Sequence, residues 1–268
     1  MLPNDFCFEV EMAGMTEHGL KHDSNQDAFF IDPQNKIACV CDGIGGHNGG
    51  AEASEMVVDV FKTYDILDHS CFEEMKMCQK NAAMFPDENN FVQLAHIAND
   101  KVHKRSTVEK SLKGMGSTLV SLYIREGKDI CFINVGDSRA YYINDQLIRQ
   151  ITNDHSLIEE LRSKKYVRKA DAFSLKIENV ITRAIGALRD VEVDFYKECL
   201  REGFYLLCSD GLTSGLSEGQ IHNCLLSERM NCQNAVRKLI DEAKEAGAVD
   251  DVTAVIFKID KSKELVKA

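Results

Sequence analysis

Hydrophobic and polar positions along the chain fall into short runs with two different periods. Residues 6–12 alternate, while 28–31 and 37–41 are continuous apolar runs, and each predicts a strand. A helix is expected over 50–61, led by small residues. A second is expected over 91–105, where Phe91, Leu94, Ala95, Ala98 and Val102 recur at the spacing of one helix face. Strands return at 118–124, 130–135, 140–143 and 147–151, with Glu126-Gly127 and Asn144-Asp145 as hairpin turns between them. A short helix follows His155, and a polar stretch rich in Lys, Arg and Ser occupies 163–179. Further strands fall at 204–208 and 253–259, separated by helices near 217–226 and 235–246; Val236, Leu239, Ile240 and Ala243 form the apolar stripe of the latter. Strands gathered in hairpins with helices between the groups give an α+β class, with antiparallel sheets covered by helices rather than a doubly wound parallel sheet. No repeat, Pro- or Ser-rich linker or low-complexity tract interrupts the chain, so a single domain over 1–268 is the simplest organisation.

Composition narrows the function. The chain has 268 residues, 44% hydrophobic and 28% charged, which suits a full globular core and excludes collagen-like, coiled-coil and disordered classes. Acidic residues outnumber basic ones, 43 to 32, for a net charge of −11, which argues against a nucleic-acid backbone as partner. No stretch approaches the ~20 apolar residues that span a bilayer. Met1-Leu2-Pro3-Asn4-Asp5 lacks the positive start and apolar run of a secretion signal. A cytoplasmic chain with no membrane partner is expected, its ten cysteines reduced. No Cys-x-x-Cys pair supports a zinc ribbon or thioredoxin-type site, and Cys39, Cys41, Cys131 and Cys208 sit inside apolar runs where a thiol packs as a small hydrophobe.

The informative pattern is a set of aspartates at strand ends. Asp42 ends one apolar run and precedes Gly43-Ile44-Gly45-Gly46-His47; Asp210 ends another and precedes Gly211; Asp137 follows a third. Asp250 and Asp251 precede the last strand, and Asp27 opens an early one. Strand ends hold side chains rigidly, and glycine lets backbone approach a ligand closely. Carboxylates converging on one spot repel unless a cation lies between them, and oxygen donors favour Mg²⁺ or Mn²⁺ over zinc. Any single Asp-Gly is more readily a turn that caps local N–H groups than part of a site. The repeated placement beside apolar strands points to a divalent-metal site.

These residues belong to a longer series: Asn25-Gln26-Asp27-Ala28, Asp42-Gly43-Ile44-Gly45-Gly46-His47, Gly114-Met115-Gly116-Ser117-Thr118, Gly136-Asp137-Ser138-Arg139 and Asp154-His155-Ser156. It continues with Thr182-Arg183-Ala184-Ile185-Gly186, Ser209-Asp210-Gly211-Leu212 and Asp250-Asp251-Val252-Thr253. In this order, and over nearly its whole length, the chain resembles the metal-dependent Ser/Thr protein phosphatases of type 2C, the PPM family; its compact length and Asp-Gly-Ile-Gly-Gly look like the bacterial branch. The resemblance implies two antiparallel β-sheets packed as a sandwich between pairs of helices (α-β-β-α), with metals at one end. By the family pattern, Asp42 bridges two Mn²⁺ or Mg²⁺ ions, the Gly43 carbonyl binds one of them, and Asp210 and Asp250 complete the other. Asp27 holds metal-bound water, with Gln26 beside it in place of the common Glu, and Asp251 supports the ligand where many relatives have Asn. Asp137 matches the position that, with Asp210, can hold a third metal in bacterial members. The implied reaction is hydrolysis of phosphoserine and phosphothreonine in proteins, a metal-bridging water attacking phosphorus in line. Two cations lower the pKa of that water and neutralise a dianionic ester that otherwise repels hydroxide. No protein nucleophile is needed, and none of the ten cysteines opens a Cys-x5-Arg loop. The implied substrates are phosphoproteins made by a Ser/Thr protein kinase, and a monomer is the expected state.

Departures from the family carry their own expectations. Its phosphate-gripping Arg, three residues before Asn-Glu-Asp, is His22 here. Histidine lacks the guanidinium fork and is charged only below about pH 6.5. Either His22 or neighbouring Lys21 makes a weaker, pH-sensitive phosphate contact, or both lie on a solvated turn. Ile44 stands where eukaryotic relatives place a histidine thought to protonate the leaving alkoxide, so that proton has another source; His47 reads as structural. His155 and Ser156 are adjacent rather than a triad, and Asp154 or Ser156 reads as a helix N-cap. Arg139 and Arg183 read as partners in internal ion pairs, and the loop near 163–180 corresponds to the family's flap. The alternative is a pseudophosphatase acting as a regulatory binding module, supported by His22 and Gln26 and opposed by the intact Asp42, Asp210 and Asp250.

Overall fold

Two antiparallel sheets lie face to face in the computed structural model, which describes residues 8–45, 49–63, 86–125, 129–164, 166, 180–226 and 231–261. The first runs in the order β1 (Phe8–Glu17), β11 (Val252–Lys261), β10 (Gly203–Cys208), β7 (Arg139–Ile143), β8 (Ile148–Gln150). The second runs β2 (Asp27–Asp32), β3 (Ile37–Ile44), β5 (Leu119–Ile124), β6 (Asp129–Val135), β9 (Asp194–Cys199), with the two-residue β4 (Gly116–Ser117) against the end of β3. Helices α1 (Gly49–Thr63) and α2 (Pro86–Val108) cover the second sheet. Helices α4 (Asp210–Gly215), α5 (Glu218–Leu226) and α6 (Cys232–Glu245) cover the first, and the short α3 (Leu157–Ser163) follows β8. This is the expected α-β-β-α sandwich. Among the described residues no helix is long and apolar enough to cross a membrane.

The continuous apolar runs follow from this layering, because the central strands are covered on both faces. In β3, Ala38 and Val40 enter the core between the sheets, while Ile37, Cys39 and Cys41 pack under α1 and α2. In β11, Val255, Phe257 and Ile259 face the other sheet, and Ala254 and Ile256 face the helices. Between the sheets, Tyr205 packs against Phe132 and Tyr142, with ring centroids 6.1 and 5.1 Å apart. Phe91, Leu94, Ala95, Ala98 and Val102 form the buried face of α2, and the stripe of α6 is buried likewise behind an Asn231 N-cap that accepts from the Asn234 N–H. Asn144 turns the β7–β8 hairpin, its side chain accepting from the N–H groups of Gln146 and Leu147. The Glu126-Gly127 turn and most of the loop near 163–180 lie outside the described residues.

Three elements differ from the sequence reading. The strand expected at 118–124 is split, because Thr118 leaves the ladder to hold Asp42. Strand β9 carries polar Lys197 and Glu198 at the sheet edge, and so lacks an apolar signal. The single turn of α4 is too short to show a period. The connections β1–β2 and β6–β7 pass between the sheets at the same end, where β3 and β10 also terminate and β11 begins; every candidate aspartate sits there.

Phe132, fully buried between the sheets, is expected to cost about 3–5 kcal/mol of unfolding free energy on replacement by Ala. Leu188→Ala, at a position 69% exposed, is expected to change it by less than about 0.5 kcal/mol. Urea denaturation of the two variants checks both figures.

Candidate metal centre

The register of β2 on β3 places Asp27 directly opposite Asp42. Like charges at such a cross-strand pair are unfavourable, and local bonding holds both in place. Thr118 grips Asp42 by its backbone: the Asp42 N–H donates to Thr118 Oγ1 (2.9 Å), and the Thr118 N–H donates to the Asp42 carbonyl (2.8 Å). Asp27 Oδ2 accepts from Ser209 Oγ at 2.7 Å, a bond between the two sheets. Gly43 must be glycine, since a Cβ there collides with the Gly50 carbonyl at the start of α1. Its N–H donates to the Gln26 carbonyl, which also accepts from Ser54 Oγ. The Gln26 side chain lies against Gly50, leaving no room for a Cβ there either.

The other half is built by the turn at 18–22 and the start of β11. Asp251 is buried, and its two oxygens accept from the N–H groups of Gly19 (2.8 Å) and Gln26 (2.7 Å). It therefore fastens the turn and the entry to β2 in one place. The N–H groups of Leu20 and Lys21 both donate to the Val249 carbonyl. Thus fixed, Lys21 reaches Asp250 Oδ2 at 2.6 Å, and His22 Nε2 stands 3.8 Å from Asp250 Oδ1. Lys21 is exposed and His22 half-buried on this turn, both with their nitrogens toward Asp250.

Charge within the cluster is unbalanced. Burial, then the charges of Asp27, Asp210, Asp137 and Asp250, pushes the Asp42 carboxyl well above the ordinary range. Asp27 is raised well above it too, by burial first and by Asp251 and Asp210, against the pull of its bonds to Ser209 and Thr253. Asp210 is raised by burial and by Asp250, with Lys21 and a bond to Asp42 opposing. Burial also opposes the charge on Lys21, but its bond to Asp250 and the field of Asp250, Asp210 and Asp42 outweigh that and raise its pKa. Asp137, 9% exposed, is raised to about 7, by burial and then by Asp210 and Asp154. Asp210 Oδ1 and Asp137 Oδ1 are buried and accept no hydrogen bond among the described residues. Orphaned oxygen acceptors and crowded carboxylates are the chemistry a hard divalent cation satisfies. Among the described residues no three acidic, His or Cys side chains close on one point tightly enough to hold a cation alone, so backbone carbonyls and water must complete any coordination shell.

Beside the cluster, Arg139 pairs with Asp154 through its Nε and Nη2, so Asp154 is an ion-pair partner and Ser156 is the cap of α3, accepting from the Glu159 N–H. Arg183 pairs with Asp194 and Glu192. His155 Nδ1 accepts from the Gly136 N–H, and its Nε2 lies 3.2 Å from Asp194 Oδ2; burial lowers its pKa, against the pull of Asp194. Cys39 and Cys41 are core residues, and burial pushes the Cys41 thiol up. Ile44 ends β3 opposite Gly116, while Gly46 and His47 lie outside the described residues. Sequence reasoning missed the hydroxyls of Thr118, Ser138 and Ser209. Their signal was the hydroxyl residue adjoining the glycine or aspartate of each motif: Gly-Ser-Thr, Gly-Asp-Ser and Ser-Asp-Gly.

An α-β-β-α sandwich with carboxylates crowded at one end is the architecture of the metal-dependent protein phosphatases, and the comparisons agree. The family model described as protein phosphatase 2C matches residues 16–245. Serine/threonine phosphatase stp of Listeria monocytogenes (serotype 4b, strain F2365) is 32% identical over 241 residues, covering 89% of this chain and 91% of that protein. The crystal structure of serine/threonine phosphatase Stp1 from Staphylococcus aureus is 30% identical with a TM-score of 0.79, covering 94% of this chain and 96% of that one. The catalytic domain of the phosphatase PstP, crystallised with two manganese ions, shares the fold at 24% identity and a TM-score of 0.77, covering 94% of this chain and 99% of that one. The chain belongs to the protein phosphatase 2C family, and it is a protein phosphatase of that type.

A carboxyl held above its ordinary range only in the folded state binds its proton more tightly there, so its contribution to stability falls as pH rises. For Asp137 the window runs from about 4, the ordinary aspartate value, up to about 7. In chelator, the melting temperature of the wild type is expected to drop relative to Asp137→Asn as pH is raised through that window. A difference that stays constant across it would refute the assignment.

Proposed function

We propose that the chain hydrolyses phosphoserine and phosphothreonine in proteins at a centre of two Mn²⁺ or Mg²⁺ ions held by Asp42, the Gly43 carbonyl, Asp210 and Asp250. The observation that carries this reading is the convergence of buried and half-buried aspartates that raise one another's pKa, two of them with orphaned oxygens. The manganese pair of the PstP structure is consistent with it. When bound, such a pair supplies Lewis-acid activation of water and neutralises phosphoryl charge during in-line displacement.

The residues of the chain then divide the remaining work. Asp27, fixed by Ser209, and Gln26 orient water at the cluster, the amide accepting a hydrogen bond without adding charge. Asp251 supports both sides of the site through Gly19 and Gln26. Lys21 and His22 stand beside Asp250 and present N–H donors to the substrate phosphate. Ile44 has no proton to give, so the leaving alkoxide takes one from solvent. Asp137 and Asp210, each with a buried oxygen that accepts no hydrogen bond among the described residues, would hold a third ion. The substrates are phosphoproteins made by a Ser/Thr protein kinase, the enzyme acts as a cytoplasmic monomer without nucleic-acid or membrane partners, and residues 1–268 form one catalytic domain with its flap near 163–180.

Phosphate release from a phosphothreonine peptide is expected to require Mn²⁺ or Mg²⁺, to stop in excess chelator and to be abolished in Asp210→Asn. His22→Arg is expected to lower KM about tenfold, the value of one added charge-assisted hydrogen bond, and Lys21→Ala to raise it. A folded chain that binds the ions yet shows no turnover overturns the reading in favour of a regulatory binding module.

A further inference from the structure

Thr118 does more than interrupt a strand. Its Oγ1, which accepts the Asp42 N–H, also lies 2.7 Å from Ser138 Oγ. Both residues are 0% exposed, where a hydrogen bond is strong and an unmade one is costly. Ser138 follows Asp137 directly. On the other side of Asp137, Gly136 takes a backbone conformation suited to glycine (φ 110°), and a Cβ there would lie 2.7 Å from the Thr118 methyl. The same threonine therefore meets both neighbours of Asp137, through its hydroxyl and its methyl, while its backbone and hydroxyl hold both sides of the Asp42 peptide. His155 completes the frame from behind: its Nδ1 accepts from the Gly136 N–H at 3.1 Å, and its own N–H donates to the Gly136 carbonyl at 2.9 Å.

Asp42 lies near the end of β3 and Asp137 just past the end of β6, two strands of one sheet that β5 separates, and among the described residues their side chains share no hydrogen bond. We propose that Thr118 and Ser138 are positioning residues: a buried hydroxyl pair that ties the backbone of Asp42 to that of Asp137 and so couples the two-ion centre to the third-ion position. This rests on the reading of Asp137 as an ion ligand given above. The link is two hydrogen bonds long, and a shift of the 136–138 turn cannot occur without stretching it or moving Asp42. Coupling between binding sites is a shared free energy, typically a 5–150-fold change in affinity.

Mn²⁺ titration calorimetry on the full chain tests the link directly. Ser138→Ala removes the second hydroxyl and leaves the Thr118–Asp42 bond, whereas Thr118→Val removes the hydroxyl that serves both partners at nearly constant volume. Each is expected to weaken the weakest Mn²⁺ step at least about fivefold, with Thr118→Ser restoring the wild-type isotherm. In turnover assays at limiting Mn²⁺, kcat is expected to fall while KM for the phosphopeptide holds. Asp137→Ala is the reference, and should lose the weakest step altogether. If Asp137→Ala loses that step but Ser138→Ala and Thr118→Val bind as wild type, the link is overturned and the third-ion reading stands. If Asp137→Ala itself binds as wild type, both are overturned. Should Thr118→Val fail to fold, the Ser138→Ala isotherm decides alone.

Discussion

Two aspartates facing each other across neighbouring strands set the terms for this end of the molecule. Asp27 opposite Asp42 is a pairing that a sheet does not tolerate without support, and the cluster adds Asp137, Asp210 and Asp250 to the same field. The surrounding construction is of one kind. Backbone N–H groups, hydroxyls and close glycine contacts fix the carboxylates without neutralising them: Thr118 on Asp42, Ser209 on Asp27, Gly43 against Gly50. Among the described residues Lys21 alone is placed with its ammonium on a member of the set, and it is exposed. The fold keeps the charge concentrated, a strain that a divalent cation would relieve and that a merely stable protein avoids.

Much of this was legible in the sequence because the two-sided burial of central strands writes itself as unbroken apolar runs. Strands β3, β6, β10 and β11 were visible for that reason, as was the buried face of α2. The aspartates were visible because they end those runs. What the sequence hid was of two sorts. Strand β9 is an edge strand whose Lys197 pairs with Glu88 and Asp129, and edge strands carry charge where central ones carry Val or Ile. The supporting hydroxyls were hidden because a Ser or Thr beside glycine is as ordinary in any turn as in a site. Only the distance from Thr118 to both Asp42 and Ser138 separates the two cases.

The departures from the family pattern also take on physical meaning in three dimensions. Gln26 differs from Glu by one charge, and its backbone carries the structural task, accepting from Gly43 and Ser54 and donating to Asp251. At the rim, exchanging Arg for His22 leaves Lys21 as the permanent cation. A lysine is a point charge rather than a fork, and constrains the approach of an anion less than a guanidinium does.

The long antiparallel ladder between β1 and β11, running from Phe8 opposite Lys261 to Glu17 opposite Val252, has a consequence for how the molecule comes into being. Residues 8–17 leave the ribosome well before residues 252–261, and β11 also separates β1 from β10 in the sheet. Until β11 is made, β1 has no strand neighbour, and closure of the long loop from Glu17 to Val252 precedes the reward of pairing. Asp250 and Asp251 arrive on the same segment. The site and the last strand thus form in one late step, so a nascent chain has no assembled carboxylate cluster to concentrate negative charge before its core is closed.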